Sequence, residues 1–125
     1  MNDLIGLQYA WGHRPLDGSG FTDCFQLSCE VRRRLGLNDH AAAYSWVYKK
    51  YNEASFTAQR LARFLLTSGV RTLEPIAGDM ILLPGGKGVL GTLTDYGTIF
   101  ISPGERVVHS PHAFMGAYYF RMNES

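Results

Sequence analysis

Cys24 follows Asp23 at the head of the run DCFQLSCEVRRRL, a position where a thiol could act as a nucleophile. A free cysteine has a pKa of about 8.5, so only about 3% is thiolate at pH 7, and a helix N-terminus can lower that value by about a unit or more. The competing reading is a small, buried apolar residue. Cys29, mid-run, has only that second reading. A nucleophilic thiol also needs a base, and the chain holds four histidines. His109 falls in an expected strand, where it could reach Cys24, fill a partly buried position or bind a ligand. His13 sits in a loop, either exposed or facing a cleft. His40 and His112 fall in expected loops without a spacing signal, and Asp95 in DYG reads as a turn-former.

The elements that would hold these groups follow from periodicity. From Asp23 to Leu35 the run places Cys24, Leu27, Val31 and Leu35 on one helical face and turns Glu30, Arg32 and Arg33 outward. Thr22 or Asp23 can cap its start, and Gly36 can supply a left-handed stop. A second helix is expected from Ala41 to Tyr51 and a third from Ser55 to Ser68, with an apolar stripe of Phe56, Leu61, Phe64 and Leu65. After Pro75 the apolar residues come in short β-rich runs. Asp79 to Leu83, Val89 to Thr94, Thr98 to Ser102, Arg106 to Ser110 and Ala117 to Arg121 read as five strands, broken by PGGKG, DYG, PGE and HAFMG. Helices followed by an antiparallel meander predict an α+β domain, with N-terminal helices packed on a C-terminal antiparallel sheet.

Composition narrows the function. The 125 residues suit a single domain spanning 1–125, and 46% apolar with 18% charged residues is the balance of a packed core. A net charge of +1 gives no reason to expect nucleic acid as a partner. No apolar run approaches the roughly 20 residues of a membrane span, so no membrane role is expected. The N-terminus, MNDLIGLQYAWGHRP, lacks the basic-then-apolar pattern of a secretory signal and predicts a chain made in the cytoplasm without one. Cys24 and Cys29 are five apart in one helix, about 140° beyond a full turn, which sets them on different sides and argues against a disulfide. No Cys or His spacing suggests a metal site, and no cofactor is expected.

The stretch IGLQYAWGHRPLDGSGFTDCFQLSCEVRRRLGL resembles the N-terminal half of the NlpC/P60 family of cysteine peptidases, whose pattern is G-x-x-Y-x-W-G-G, a loop, then D-C-S-G-L opening a helix. Gly6, Tyr9, Trp11, Gly12, Asp23, Cys24 and Leu27 fall on it in order, and PIAGDMILLP is similar to the family's P-G-D-L-V-F-F strand at Gly78 and Asp79. The resemblance implies a papain-like α+β fold that cleaves peptide bonds in cell-wall stem peptides. It makes Cys24 the nucleophile, with Tyr9, Trp11, His13 and Asp23 around the substrate; His109 is the one candidate base, and only if its strand were shifted to bring it to Cys24. Compact relatives occur among phage tail proteins, which makes a peptidoglycan peptide or other tail proteins the expected partners and a virion the expected destination.

The departures bear on activity. Phe25 and Gln26 replace the Ser-Gly after the cysteine, narrowing the cleft, and His13 stands at the second glycine of WGG. The family's base opens an H-x-G-I-Y strand, with an orienting residue about twelve positions later. One register puts Val89 and Ile101 at these two places; the other puts Gly97 and His109 there. Neither supplies a histidine base, whose help is typically worth about 10²–10⁴-fold. The expectation is therefore a degenerate relative serving as a structural or binding component. The alternatives are an active peptidase or amidase with a repositioned base, and a cysteine-dependent acyltransferase.

Overall fold

Asp23 starts the first long helix. Its backbone is extended (φ −99°, ψ 175°), and its carboxylate accepts the N–H of Gln26 at 2.8 Å, a cap worth about 1 kcal/mol to α1, Cys24–Arg34. At the far end Gly36 has φ +76°; its N–H reaches Arg33 O at 3.1 Å and that of Leu37 reaches Arg32 O at 3.0 Å. This paired closure is what a left-handed glycine after a helix permits. Leu27 and Val31 are fully buried. Arg32 departs from the expected outward face and is buried, because its guanidinium finds acceptors in Asn38 O, Gly78 O and the Glu124 carboxylate. The computed structural model describes residues 1–83, 89–111 and 116–124, so the expected PGGKG turn, most of the HAFMG turn and His112 lie outside the described residues.

The expected helix from Ala41 to Tyr51 is two single turns, α2 (Ala41–Tyr44) and α3 (Val47–Lys50). The break lets two tyrosines four positions apart serve different partners: Tyr44 donates to Phe64 O at 2.8 Å and Tyr48 to the Asp23 carboxylate at 2.7 Å. The third helix, α4 (Ala58–Ser68), begins after Thr57, whose hydroxyl accepts the Arg60 N–H, and buries Leu61 and Leu65.

Six strands form one antiparallel sheet: β3 (Gly69–Thr72), β4 (Met80–Leu82), β5 (Leu90–Thr94), β6 (Gly97–Phe100), β7 (Val108–Ser110) and β8 (Tyr118–Met122), in the order β3-β8-β4-β5-β6-β7. The architecture is α+β. The sequence reading finds five of these strands and misses β3, an edge strand that follows α4 directly and whose Val70 is 63% exposed. The strand expected from Arg106 begins only at Val108. Its first half pairs with the N-terminal segment instead, through a Gln8–Arg106 bridge, the Val107 N–H donating to Leu7 O at 2.8 Å and the Gly6 N–H to Val107 O at 3.0 Å. A short parallel pair, β1 (Gln8–Tyr9) with β2 (Phe21–Thr22), brings that segment to the start of α1.

Register aligns Phe120, Met80, Thr92, Ile99 and His109 in one row across β8, β4, β5, β6 and β7. The helices cover this face: Leu61 and Leu65 of α4 pack on Met80, Leu82, Leu90, Phe120 and Met122, while Leu27 and Val31 of α1 pack on Ile99, Ile101 and Val107. Cys24 touches both clusters. Among the described residues no helix is long and apolar enough to cross a membrane.

Candidate functional site

The first turn of α1 lies under α2, α3 and α4. Around Cys24 they bring Phe25, Tyr44, Val47, Tyr48, Phe56, Leu61, Phe64 and Leu65 together with Trp11 and Asp23, lining a narrow pocket of about 20 Å³, about the room of one water molecule, on which Cys24 stays partly exposed. The rings interlock: Trp11 meets Tyr48 edge-on at 4.8 Å and Phe56 at 5.8 Å, and Phe25 meets Tyr44 at 5.7 Å. The large residue at position 25 thus forms part of the wall beside the sulfur.

Asp23 is 1% exposed and fully engaged. Besides capping α1 it accepts the Gly12 N–H at 2.8 Å and the Tyr48 hydroxyl at 2.7 Å, tying the loop after Trp11 and the α3 turn to the helix start. Burial raises its pKa, although the donors from Gln26, Tyr48 and Gly12 pull the other way. Burial likewise raises Tyr9, whose surroundings hold Cys24, Asp23 and the Glu53 carboxylate, and raises Tyr48 beside Asp23.

The thiol of Cys24 is pushed up to about 12, first by burial and then by the negative charge of Asp23; backbone amides of Leu90, Cys24 and Phe25 act in the opposite direction and lose. A helix end alone predicts a lowered value. Here its effect is outweighed because the apolar wall removes the water that a thiolate needs. Cys29 is buried and its thiol also raised, and the two cysteines are not joined in a disulfide.

Tyr9, Trp11, Asp23 and Cys24 come together at the start of α1, as the electrostatics of Tyr9 and the pocket lining record. His13 stands at the edge of this region. Its backbone carbonyl accepts the Asp23 N–H at 3.2 Å, while its half-exposed ring pairs with Asp17 at 3.1 Å and tilts against Phe21. His109 is elsewhere. It is two strands from β5 and two residues along from Leu90, a Cα separation of about 12 Å from strand spacing and rise. It lines a second depression with Leu35, at the other end of α1. His40 is buried against Asn123 O at 2.9 Å. Among the described residues no histidine lines the Cys24 pocket, and no group of His, Cys, Asp and Glu could hold a metal ion.

Two contributors escape the sequence reading: Tyr48, which latches α3 to Asp23, and Glu53, which faces Tyr9. The four-residue spacing of Tyr44 and Tyr48 is a signal for one helical face, but it does not say that a break would split their roles. Chemically, the arrangement offers a protonated thiol, a carboxylate whose oxygens are already taken, and a narrow apolar space. Comparison of the chain with protein-family models, with curated proteins and with solved structures gives no match.

Proposed function

We propose that the chain is an NlpC/P60-like, papain-type domain that no longer hydrolyses and serves as a structural or binding component, of the kind found in phage tail assemblies. The observation that carries this reading is the narrow, largely apolar pocket at Cys24: its described lining contains no imidazole, and its thiol is pushed up to about 12. Attack on an amide requires a proton acceptor for the sulfur and later a proton donor for the leaving amine, and one histidine normally does both. The Leu90 amide acts on the Cys24 sulfur, and the residue before it, which the first family register assigns to the base, is the buried Val89. An aliphatic side chain there can neither take nor give a proton.

The test is to incubate purified protein with peptidoglycan and follow released stem peptides by mass spectrometry. No release is expected. Turnover abolished by Cys24→Ala would overturn the reading in favour of a cysteine peptidase, and additional loss in His109→Ala would identify the base.

A further inference from the structure

The residues after β8 are tied to the region where α1 gives way to α2. Asn123 donates its N–H to Ser68 O at 2.8 Å, and its carbonyl lies 2.9 Å from Nε2 of His40; because a carbonyl can only accept, that ring nitrogen carries a proton. Glu124 accepts from the Arg32 guanidinium with one carboxylate oxygen and from the Asn38 N–H, at 2.9 Å, with the other. Arg32 is buried and His40 only 7% exposed. His40 nevertheless lines an open depression of about 350 Å³ with Asn38, Ser68 and Asn123, so protons reach its ring from solvent while the fold stands. Few charges surround it. The Asp39 carboxylate is taken by Arg33 at 2.9 Å and by the Ala41 N–H, and from α2 the Tyr44 ring stacks on the imidazole at 6.4 Å. With His40 neutral, Arg32 and Glu124 balance each other.

We propose that Arg32, His40 and Glu124 form an acid-released latch, which docks the residues after β8 onto the α1–α2 connection at neutral pH and frees them in mild acid. Protonating His40 sets a second cation beside a buried guanidinium whose one carboxylate partner is Glu124; protonating Glu124 takes that partner away. Each step leaves an unbalanced positive charge beside buried groups, and undocking hydrates it. The two titrations run in the same direction. Burial holds the His40 imidazole below its ordinary value, and Arg32 adds to this against the pull of Asn123 O, Glu124 and Asp39. Burial works to raise the Glu124 carboxyl, but the Asn38 amide and Arg32 outweigh it and keep it below the ordinary range. A group held low in the docked state stabilises docking above its free value and loses that contribution as pH falls. Release therefore begins below about 6.5 through His40 and continues below about 4.3 through Glu124. The latch is separate from the first site, since none of Arg32, His40 and Glu124 lines the Cys24 pocket.

The experiment follows hydrogen exchange of the Asn123 amide in the ¹⁵N-labelled full chain from pH 7.5 to 4.5, each rate divided by its intrinsic value to give an opening constant. Leu93, whose N–H bonds Asp79 O at 2.9 Å within the sheet, reports the core in the same spectra. Opening at Asn123 is expected to exceed that at Leu93 and to rise at least about threefold between pH 7.5 and 5, as a local opening coupled to protonation does. His40→Gln keeps a side-chain N–H for Asn123 O and removes the titration, so its opening is expected to stay level down to pH 5. Glu124→Gln removes the charge at every pH; its opening is expected to start about threefold higher at pH 7.5, the size of a partly exposed ion pair, and still to rise with acid. A level wild-type profile, the same rise in folded His40→Gln, opening at pH 7.5 unmoved by Glu124→Gln, or opening at Asn123 no larger than at Leu93 would overturn the proposal.

Discussion

The two depressions sit at opposite ends of one helix, Cys24 at the start of α1 and Leu35 just past its end, about 16 Å apart at the helical rise. The first is a cavity of about 20 Å³ walled by aromatic rings; the second is open, about 400 Å³, with an apolar floor and titratable groups on its rim. The residue type suited to covalent chemistry lies in the narrow one and is held protonated, whereas an ordinary aspartate, Asp95, in a hairpin turn of the open one makes no ion pair with the described residues. What a side chain can do here is decided less by its type than by the element that presents it. A helix start roofed by two short turns and α4 desolvates its thiol, and an edge strand beside a hairpin leaves its groups in water.

The largest effect expected on this comparison comes from the strut between the two regions. Leu27 is fully buried against Val31, Ile99, Ile101 and Val107. Leu27→Ala should lower stability by about 3 kcal/mol, within the usual range of about 2–5, through lost burial and the cavity left behind. Urea midpoints measure it. A loss below about 1 kcal/mol would mean that α1 is not the common support of both sites.

Next is the reactivity of Cys24. With its pKa at about 12, the thiolate fraction at pH 8 is about 10⁻⁴, against about 0.2 for a free cysteine. The greater intrinsic nucleophilicity of a high-pKa thiolate recovers part of the difference, leaving labelling by iodoacetamide about 10²-fold slower than for a free thiol on ionisation grounds alone. The narrow pocket should slow it further. The rate should still be rising at pH 10. A plateau near pH 7 would show a poised thiolate and reverse the contrast between the two regions.

Asp23 tests what holds the narrow region together. Asp23→Ala removes a helix cap and strands the Gly12 N–H and the Tyr48 hydroxyl, so a loss of about 2 kcal/mol at neutral pH is expected. Asp23→Asn gives the pH sign. Burial raises the pKa of Asp23 in the folded protein, so the folded state holds the proton more tightly. That contribution is fully present below the unfolded value of about 3.9 and is lost as pH rises through the folded value. Wild type should therefore lose stability relative to Asp23→Asn as pH climbs from about 4. Carboxylates elsewhere slope the other way, such as Asp3 held at about 2 by Arg34 and Asp17 at about 2 by Ser19, so the difference between the two proteins is the quantity to follow. A flat difference would mean that Asp23 is not the latch.

How much of this was legible depends on whether the information is local. The α1 boundaries follow from Asp23 and Gly36, whose cap and left-handed stop are properties of a few residues, and the β5–β6 hairpin follows from DYG. The strand β3 was hidden because an edge strand with an exposed Val70 carries little alternation. The break between α2 and α3 was hidden because its cause is tertiary: Tyr44 and Tyr48 answer to Phe64 and Asp23, on other elements. For the same reason the burial of Arg32 could not be read from its helical face, since its acceptors come from Asn38, Gly78 and Glu124. Motif spacing brought Tyr9, Trp11, Asp23 and Cys24 to one neighbourhood, but the separation of His109 from them is fixed by strand order, which no local pattern encodes.

The smallest effect lies on the row that joins the two regions. Thr92 stands between Met80 and Ile99, one strand beyond which is His109, and its hydroxyl is fully buried with no partner among the described residues; the same holds for Ser28 on α1, which packs over β5. A hydroxyl taken out of water without a hydrogen bond is a net penalty, and a methyl of nearly the same volume carries none. Thr92→Val should therefore raise stability by about 1 kcal/mol, read as a higher urea midpoint at unchanged slope. The change sits under α1, and Thr92 itself lines neither depression, so Cys24 labelling should be unaltered. A fall in stability of similar size would show that the hydroxyl has a bonding partner beneath the helix. The strip between the two sites would then be a polar connection between them and not the dry partition that makes their behaviour independent.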